Sequence, residues 1–480
     1  MASSRRQKAE AAKRAKVRKL KAELVEAMRE LLPEGSFAER EQAMLDLTNE
    51  LQNEIGRQEL QELADSMGDE VEVEGKTYKR HQTGAVRYHS LAGGLLVARD
   101  TYRVEGVRNG PTIVPLELVA GLAERATPAL ARNIAHGYAR HDLRAHGEVL
   151  REAHCRPPSR ATMERIAKGL ARDAQREVVA IEKRAFGADT VPAGAVGISI
   201  GFDRTSAPMA EELPEGARRP APKRRKAYSR AVPAPIAVNW RMAYIGTVCV
   251  VDEHGDALET YRYAATAADD PRELTGRMGW QVATLVERAP KLHVGIVQDG
   301  APEMWTLMRD VLQPLKDRGL IHRWHEAIDL PHLMGRLGEA FKAALGSEAS
   351  TIEYWKRELV ESDGAIDTIE AIFRRTQPVL SGEQAEILQE HLTYIENNKD
   401  RMRYAGLRSV GLPIGSGVTE STAKNVVNMR AKRSGQRWSV AGLRGVLNLR
   451  ALLKSARLGR FWEVFSRRYV ANVNSLSAAA

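Results

Sequence analysis

The chain has 480 residues, enough for several domains, with 72 Lys and Arg against 62 Asp and Glu and a net charge of +10. A hydrophobic fraction of 43% supports a buried core, yet no apolar run reaches the length of a membrane span, and Cys155 and Cys249 alone exclude a disulfide framework or a cysteine-rich zinc module. The positive charge is clustered, with nine basic residues in 5–21 and seven in 218–230. That pattern points to a polyanionic partner, nucleic acid above all. The N-terminal stretch lacks the apolar centre of a signal peptide, so the expected location is the cytoplasm, on the nucleoid.

Residues 1–67 read as a basic helical region for DNA binding or dimerisation. "AELVEAMRELL" and "AMLDLTNELQNEIGRQELQELADSM" space their apolar residues by three and four. Leu45, Leu47, Leu51, Ile55, Leu60 and Leu63 form a stripe that suits either the chain's own core or a second protomer. Residues 68–120 turn β-rich and glycine-broken, which predicts a small antiparallel sheet.

Residues 121–190 are helical again. Within them "LRAHGEVLREAHCRPPSRATMERIAKGLA" has the outline of a helix-turn-helix. Pro157 and Pro158 enforce the turn, and Ser159 caps a second helix carrying Arg160, Arg165 and Lys168 as candidate DNA contacts. Plain helical packing would produce the same outline. His141, His146, His154 and Cys155 match no standard zinc spacing.

From Val191 the pattern is α/β. Strand "AVGISIGFDRT" ends in Asp203, and a Pro-, Arg- and Lys-rich loop is expected over 207–235. Two strands then join at His254-Gly255-Asp256, and a helix starts at Asp270-Pro271. "KLHVGIVQDG" is a strand ending in Asp299, and "IHRWHEAIDLPHLM" is a fifth strand followed by a helix. The order β-β-β-α-β-α-β-α is that of a ribonuclease H-like core. It is expected over 191–337, interrupted by an all-α insertion at 338–411 and completed over 412–465. A flexible tail is expected over 466–480.

Asp203 and Asp299 fall just past the ends of strands expected at the centre of the sheet, the edge where open α/β sheets bind ligands. Glu420 follows on a later helix. Three carboxylates converging would repel one another unless cations lay between them. Hard oxygen donors suit two Mg²⁺ or Mn²⁺ ions of the kind that cleave phosphodiesters. Lys424, Arg430, Lys432, Arg433 and Arg437, all after Glu420, would hold a phosphate backbone nearby. Alternatively Glu420 is an exposed residue paired with Lys424 at i+4.

The chain resembles the DDE transposases of bacterial insertion sequences, of the ISKra type, and more loosely the Mutator-like and hAT transposases. The residues that carry the resemblance are "GFDRT", "VQDGAPEMW", "AIDLPHLMGRL" and the block from "YIENNKDRMRY" through "LPIGSGVTESTAKNVVNMRAKRSGQRW" to "LGRFW". The resemblance implies a multidomain α/β protein with a ribonuclease H-like catalytic core, in which Asp203, Asp299 and Glu420 are the acidic triad. It implies that the substrate is double-stranded DNA, both terminal inverted repeats and target, bound by a homodimer or higher multimer. Relatives also carry a Cys or Asp, two residues, then His after the fifth strand. Here that is Asp329 and His332, implied as auxiliary active-site residues, or else as a helix cap with a packed imidazole. Two features depart from the pattern: Arg204-Thr205-Ser206 stand where a tryptophan often follows the first Asp, and the N-terminal sheet lacks zinc-binding cysteines. Besides an active transposase, the chain suits a nuclease of the same fold without strand transfer, or a DNA-binding regulator derived from a transposase.

Overall fold

The computed structural model describes residues 2–107, 110–213, 236–346 and 349–476. The basic stretch 218–230, most of the expected loop 207–235 and the side chains of 5–14 lie outside the described residues. The molecule is a multidomain α/β protein with two compact units, Met1–Leu170 with Ser466–Ala480, and Ala171–Phe465.

The first unit opens with helices Ala2–Glu30 and Phe37–Asp65. The second starts at a capping box: Ser36 Oγ accepts from Glu39 N, and Glu39 Oε2 accepts from Ser36 N at 2.7 Å. Strands β1 (Glu70–Val73), β2 (Lys76–Ser90), β3 (Gly93–Val104) and β4 (Thr112–Ile113) form an antiparallel sheet. The β2–β3 register shifts between Arg80 and Gln82, a bulge at His81. Leu60 and Ala64 of the second helix bury against Tyr88, Leu95 and Val97, whereas Leu51 and Ile55 of the same expected stripe stay exposed. One core therefore joins helix, sheet and the 115–122 segment, which is why boundaries expected at 67 and 120 do not separate compact units. The expected helix-turn-helix region holds helices Leu143–Glu152 and Arg160–Arg176 on either side of the two prolines.

The expectation of a flexible tail over 466–480 is corrected for residues 474–476, while 477–480 lie outside the described residues. Strand β10 (Asn474–Leu476) pairs antiparallel with β1 and closes the sheet in the order β10-β1-β2-β3-β4. Three residues with one apolar side chain carry too little pattern to announce a strand; the open edge of β1 supplies the missing partner.

The second unit is built on β5 (Gly197–Glu212), β6 (Ile236–Val251), β7 (Ala257–Ala265), β8 (His293–Gln298) and β9 (Arg323–Ile328). Its order is β7-β6-β5-β8-β9, with the first three antiparallel and the last two parallel to β5. Helices Pro271–Arg288, Pro302–Asp317 and Leu330–Leu345 follow β7, β8 and β9, which is the expected succession. β5 runs on past Asp203 to Glu212, so residues 207–212 are strand rather than loop. Its parallel pairing with β8 ends at Ile200, β7 pairs with β6 as far as Tyr244 opposite Arg204, and from Thr205 onward β5 and β6 continue as a two-stranded arm. The helices Ala349–Glu361, Ala365–Thr376 and Gly382–Asn398 share one apolar cluster with the sheet, including Phe341, Phe373 and Leu388 beside Ile296 and Ile328. These helices are thus continuous with the core of the sheet.

Candidate active site

Strand alternation places Gly201, Asp203 and Thr205 on one face of β5. The short helix Gly417–Thr422 and the π-helical turn Ala423–Asn428 cross that face. The approach is close. A Cβ on Gly201 would lie 1.8 Å from Thr419 Oγ1, so only glycine fits beneath the helix. Thr419 and Thr247 share a buried hydrogen bond of 2.8 Å, and Val426 and Val427 pack on Ala207 and Ile245. Glu420, next to Thr419, is thereby held near Asp203.

The head of that helix is also fixed from β9. Asp329, fully buried, accepts from Ser416 N at 2.5 Å through Oδ1 and from His332 N at 2.9 Å through Oδ2. Leu330 N donates to Ile414 O at 3.0 Å, and Asp329 N to Gln298 O at 2.9 Å, tying in the end of β8. Asp329 therefore acts as a cap and a tether; it is a positioning residue. His332 presents an exposed side chain, with Nδ1 3.5 Å from Asp329 Oδ2.

Asp299 follows β8 directly. Its Oδ1 accepts from Ala301 N at 3.0 Å, and its carbonyl accepts from Trp305 Nε1 at 2.9 Å. Glu420 is exposed, and its Oε1 accepts from Ser416 Oγ at 3.2 Å. Asp203 is half-buried, and its Oδ1 accepts from Arg204 N at 2.6 Å. Burial pushes the Asp203 carboxyl above its ordinary value; the Arg204 amide opposes this, Asp299 and Glu420 add to it, and the His332 charge opposes it. The four side chains are thus electrostatic neighbours. Each carboxylate is turned onto a local donor, and among the described residues no group of three or more His, Cys, Asp or Glu is arranged to hold a metal ion.

Beside Asp299 lies a cleft of about 710 Å³ floored by Gly300, where a Cβ would lie 2.5 Å from the Tyr394 ring. Arg336 stacks over Tyr394 at 4.2 Å and Arg401 over Trp305 at 4.3 Å.

The basic residues after Glu420 divide. Lys424, Arg433 and Arg437 are exposed. Lys432 Nζ donates to Thr205 Oγ1 at 2.9 Å, two residues from Asp203, and burial lowers its pKa. Arg430 corrects the expectation of a DNA contact: it is 2% exposed, with its guanidinium 4.7 Å above the Trp438 ring, because the π-helical turn carries it into the core. In the first unit Arg160 is exposed, but Arg165 pairs with Glu124 at 2.8 Å and Lys168 with Glu164 at 2.6 Å. Both cations remain on the surface, where each has a carboxylate partner within the protein.

Sequence reasoning missed Gly201, Thr205 and Thr419 as site-building residues. The i, i+2 spacing of Gly201, Asp203 and Thr205 was the available signal. No protein-family model matches the chain, and no curated protein sequence matches it.

Proposed function

We propose that the chain is a DDE transposase with a ribonuclease H-like core, which binds the terminal inverted repeats of its insertion sequence and catalyses cleavage and transfer of DNA strands. The observation that carries this is the placement of Glu420 on the helix that packs on β5 at Gly201, two residues before Asp203, with Asp299 at the end of the neighbouring strand β8. The strand order, three antiparallel strands then two parallel, supports the core, and the helices between β9 and Glu420 support the insertion.

The donor set suits Mg²⁺ or Mn²⁺, two ions, held by Asp203, Asp299 and Glu420 after the carboxylates rotate off their local donors. Such ions, when bound, activate the attacking hydroxyl and stabilise the leaving oxygen of a phosphodiester. The chain's own residues do the rest. Asp329 holds the turn that carries Glu420. Lys432, anchored on Thr205, brings positive charge beside Asp203. Lys424, Arg433 and Arg437 continue that charge along the exposed surface and bind backbone phosphates. A homodimer or higher multimer pairs two element ends.

The test is strand cleavage of a DNA fragment bearing an element end, in Mg²⁺ or Mn²⁺. Asp203→Asn, Asp299→Asn and Glu420→Gln should each abolish cleavage while DNA binding persists. Undiminished cleavage by any of the three overturns the assignment, and cleavage without joined products in the wild type marks a nuclease instead.

A further inference from the structure

The first unit holds a cavity of about 840 Å³ that the proposed chemistry does not use. Arg87 and His89 of β2 line it, with Glu124 and Arg125 from a turn and Thr162 and Arg165 from the helix Arg160–Arg176. The turn is unusual. Glu124 and Arg125 both have positive φ, 52° and 63°. Ala123 and Ala126 exchange backbone hydrogen bonds across them at 3.1 and 2.8 Å. That is the primed two-residue hairpin, which prefers Gly or Asn, built here from two long charged residues at a cost in strain.

Contacts from two other elements hold it. Arg165 donates to Glu124 Oε2 at 2.8 Å and to Glu124 O at 2.9 Å. His89 N donates to Arg125 O, and Thr127 N to His89 O, each at 2.9 Å. Gly169 leaves room for the Glu124 side chain, since a Cβ there would come within 2.3 Å of it.

Three arginines against two glutamates leave the lining net positive. Glu124 faces Arg165, and Glu117 accepts from Tyr88 Oη at 2.9 Å. Arg87 and Arg125 are exposed, and among the described residues neither has an ion-pair partner. The Arg87 stem lies across Gly94, where a Cβ would be 3.2 Å from its Cδ. His89 is held below its ordinary pKa, first by burial and then by Arg165, Arg87 and Arg125. Two open guanidinium forks, a hydroxyl and an imidazole around one cavity match phosphate oxygens.

We propose that this cavity binds a backbone phosphate of double-stranded DNA, with Arg87 and Arg125 as its charged donors and His89 and Thr162 beside them. The proposal rests on the chain being a DNA-binding protein. It adds a phosphate contact on the β2 strand and the strained turn to the candidates Arg160, Arg165 and Lys168 on the neighbouring helix.

The experiment compares full-length wild type with the R87A/R125A double variant, binding a short DNA duplex over a range of salt concentrations. The expected result is several-fold weaker binding, uniform across sequences, with the salt slope shallower by roughly 0.9 for each phosphate that is no longer neutralised. R87K/R125K should restore most of the slope, because charge is kept. Both residues are exposed, and if the alanine variant misfolds, R87Q/R125Q carries the same test. An unchanged affinity and slope beside normal wild-type binding overturns the site and leaves the proposed function standing. A wild type that binds no duplex overturns both.

Discussion

Asp329 Oδ1 accepts the Ser416 amide at 2.5 Å, and through this bond the end of β9 holds the head of the helix that carries Glu420. The residues are 87 apart in sequence, with the whole helical insertion between them. Asp329 itself is fully buried.

Asp329→Ala should therefore leave the Ser416 and His332 amides without their partner. The expected loss is about 1–2 kcal/mol, from the cap and the second amide hydrogen bond. Hydrogen exchange at Ser416 and His332 should accelerate more than exchange in the β5–β6 pairing. Uniform protection across both regions would show that the tether is not needed.

Gly201 is the second point of closure. Gly201→Ala puts a methyl 1.8 Å from Thr419 Oγ1 and 3.0 Å from Thr247 Oγ1. The helix must lift, and the cost is about 1–3 kcal/mol of overpacking. Thr419→Ala removes the clashing hydroxyl. Adding it to Gly201→Ala should recover part of the loss, so the pair should be non-additive in denaturant unfolding. Strict additivity would mean that the two residues do not meet.

The second unit was legible where periodicity and turn residues speak together. The apolar runs before Asp203 and Asp299, the Asp270-Pro271 helix start and the Gly255 turn all lie where expected. What stayed hidden depends on partners distant in sequence. Nothing local reveals that Thr419 lies on Gly201, or that Arg165 is occupied by Glu124. Arg430 reads as one more cation in a basic helix, and only the π-helical turn before it turns the side chain onto Trp438. The extension of β5 beyond Asp203 was hidden for a different reason: its Pro208 suggests a loop, yet an arm whose outer residues have no β8 neighbour accommodates proline.

The C-terminal strand makes a separate prediction about the first unit. Asn474, Ser475 and Leu476 pair with Glu72, Val71 and Glu70, Ser475 Oγ accepts from Gly68 N at 2.9 Å, and Val473 packs on the cluster around Val71 and Tyr102. Deleting residues 472–480 removes these interactions together. The expected destabilisation is about 2 kcal/mol, from part of one valine side chain and a few hydrogen bonds. Amide exchange in β1 should rise while that in β8 is unchanged. Equal protection of β1 in the deletion variant would show that the pairing contributes nothing.

The last prediction concerns charge at the candidate active site. Burial, Asp299 and Glu420 hold the Asp203 carboxyl above its ordinary value of 3.8. A folded-state pKa above the unfolded one means that the folded protein binds this proton more tightly. The stability it contributes is complete below the unfolded value and is lost as pH rises through the folded one. At neutral pH the wild type therefore bears a carboxylate whose burial and like-charged neighbours are only partly offset, and Asp203→Asn does not. The variant should melt higher than wild type at pH 7, and the difference should shrink as pH falls toward the ordinary carboxylate range. Mg²⁺ or Mn²⁺ at pH 7 should raise the wild-type Tm, because a ligand that binds only the folded state stabilises it, and should raise that of Asp203→Asn less. A variant that melts at or below wild type at pH 7, together with a wild type indifferent to both ions, would remove the electrostatic case for the site while leaving the fold untouched.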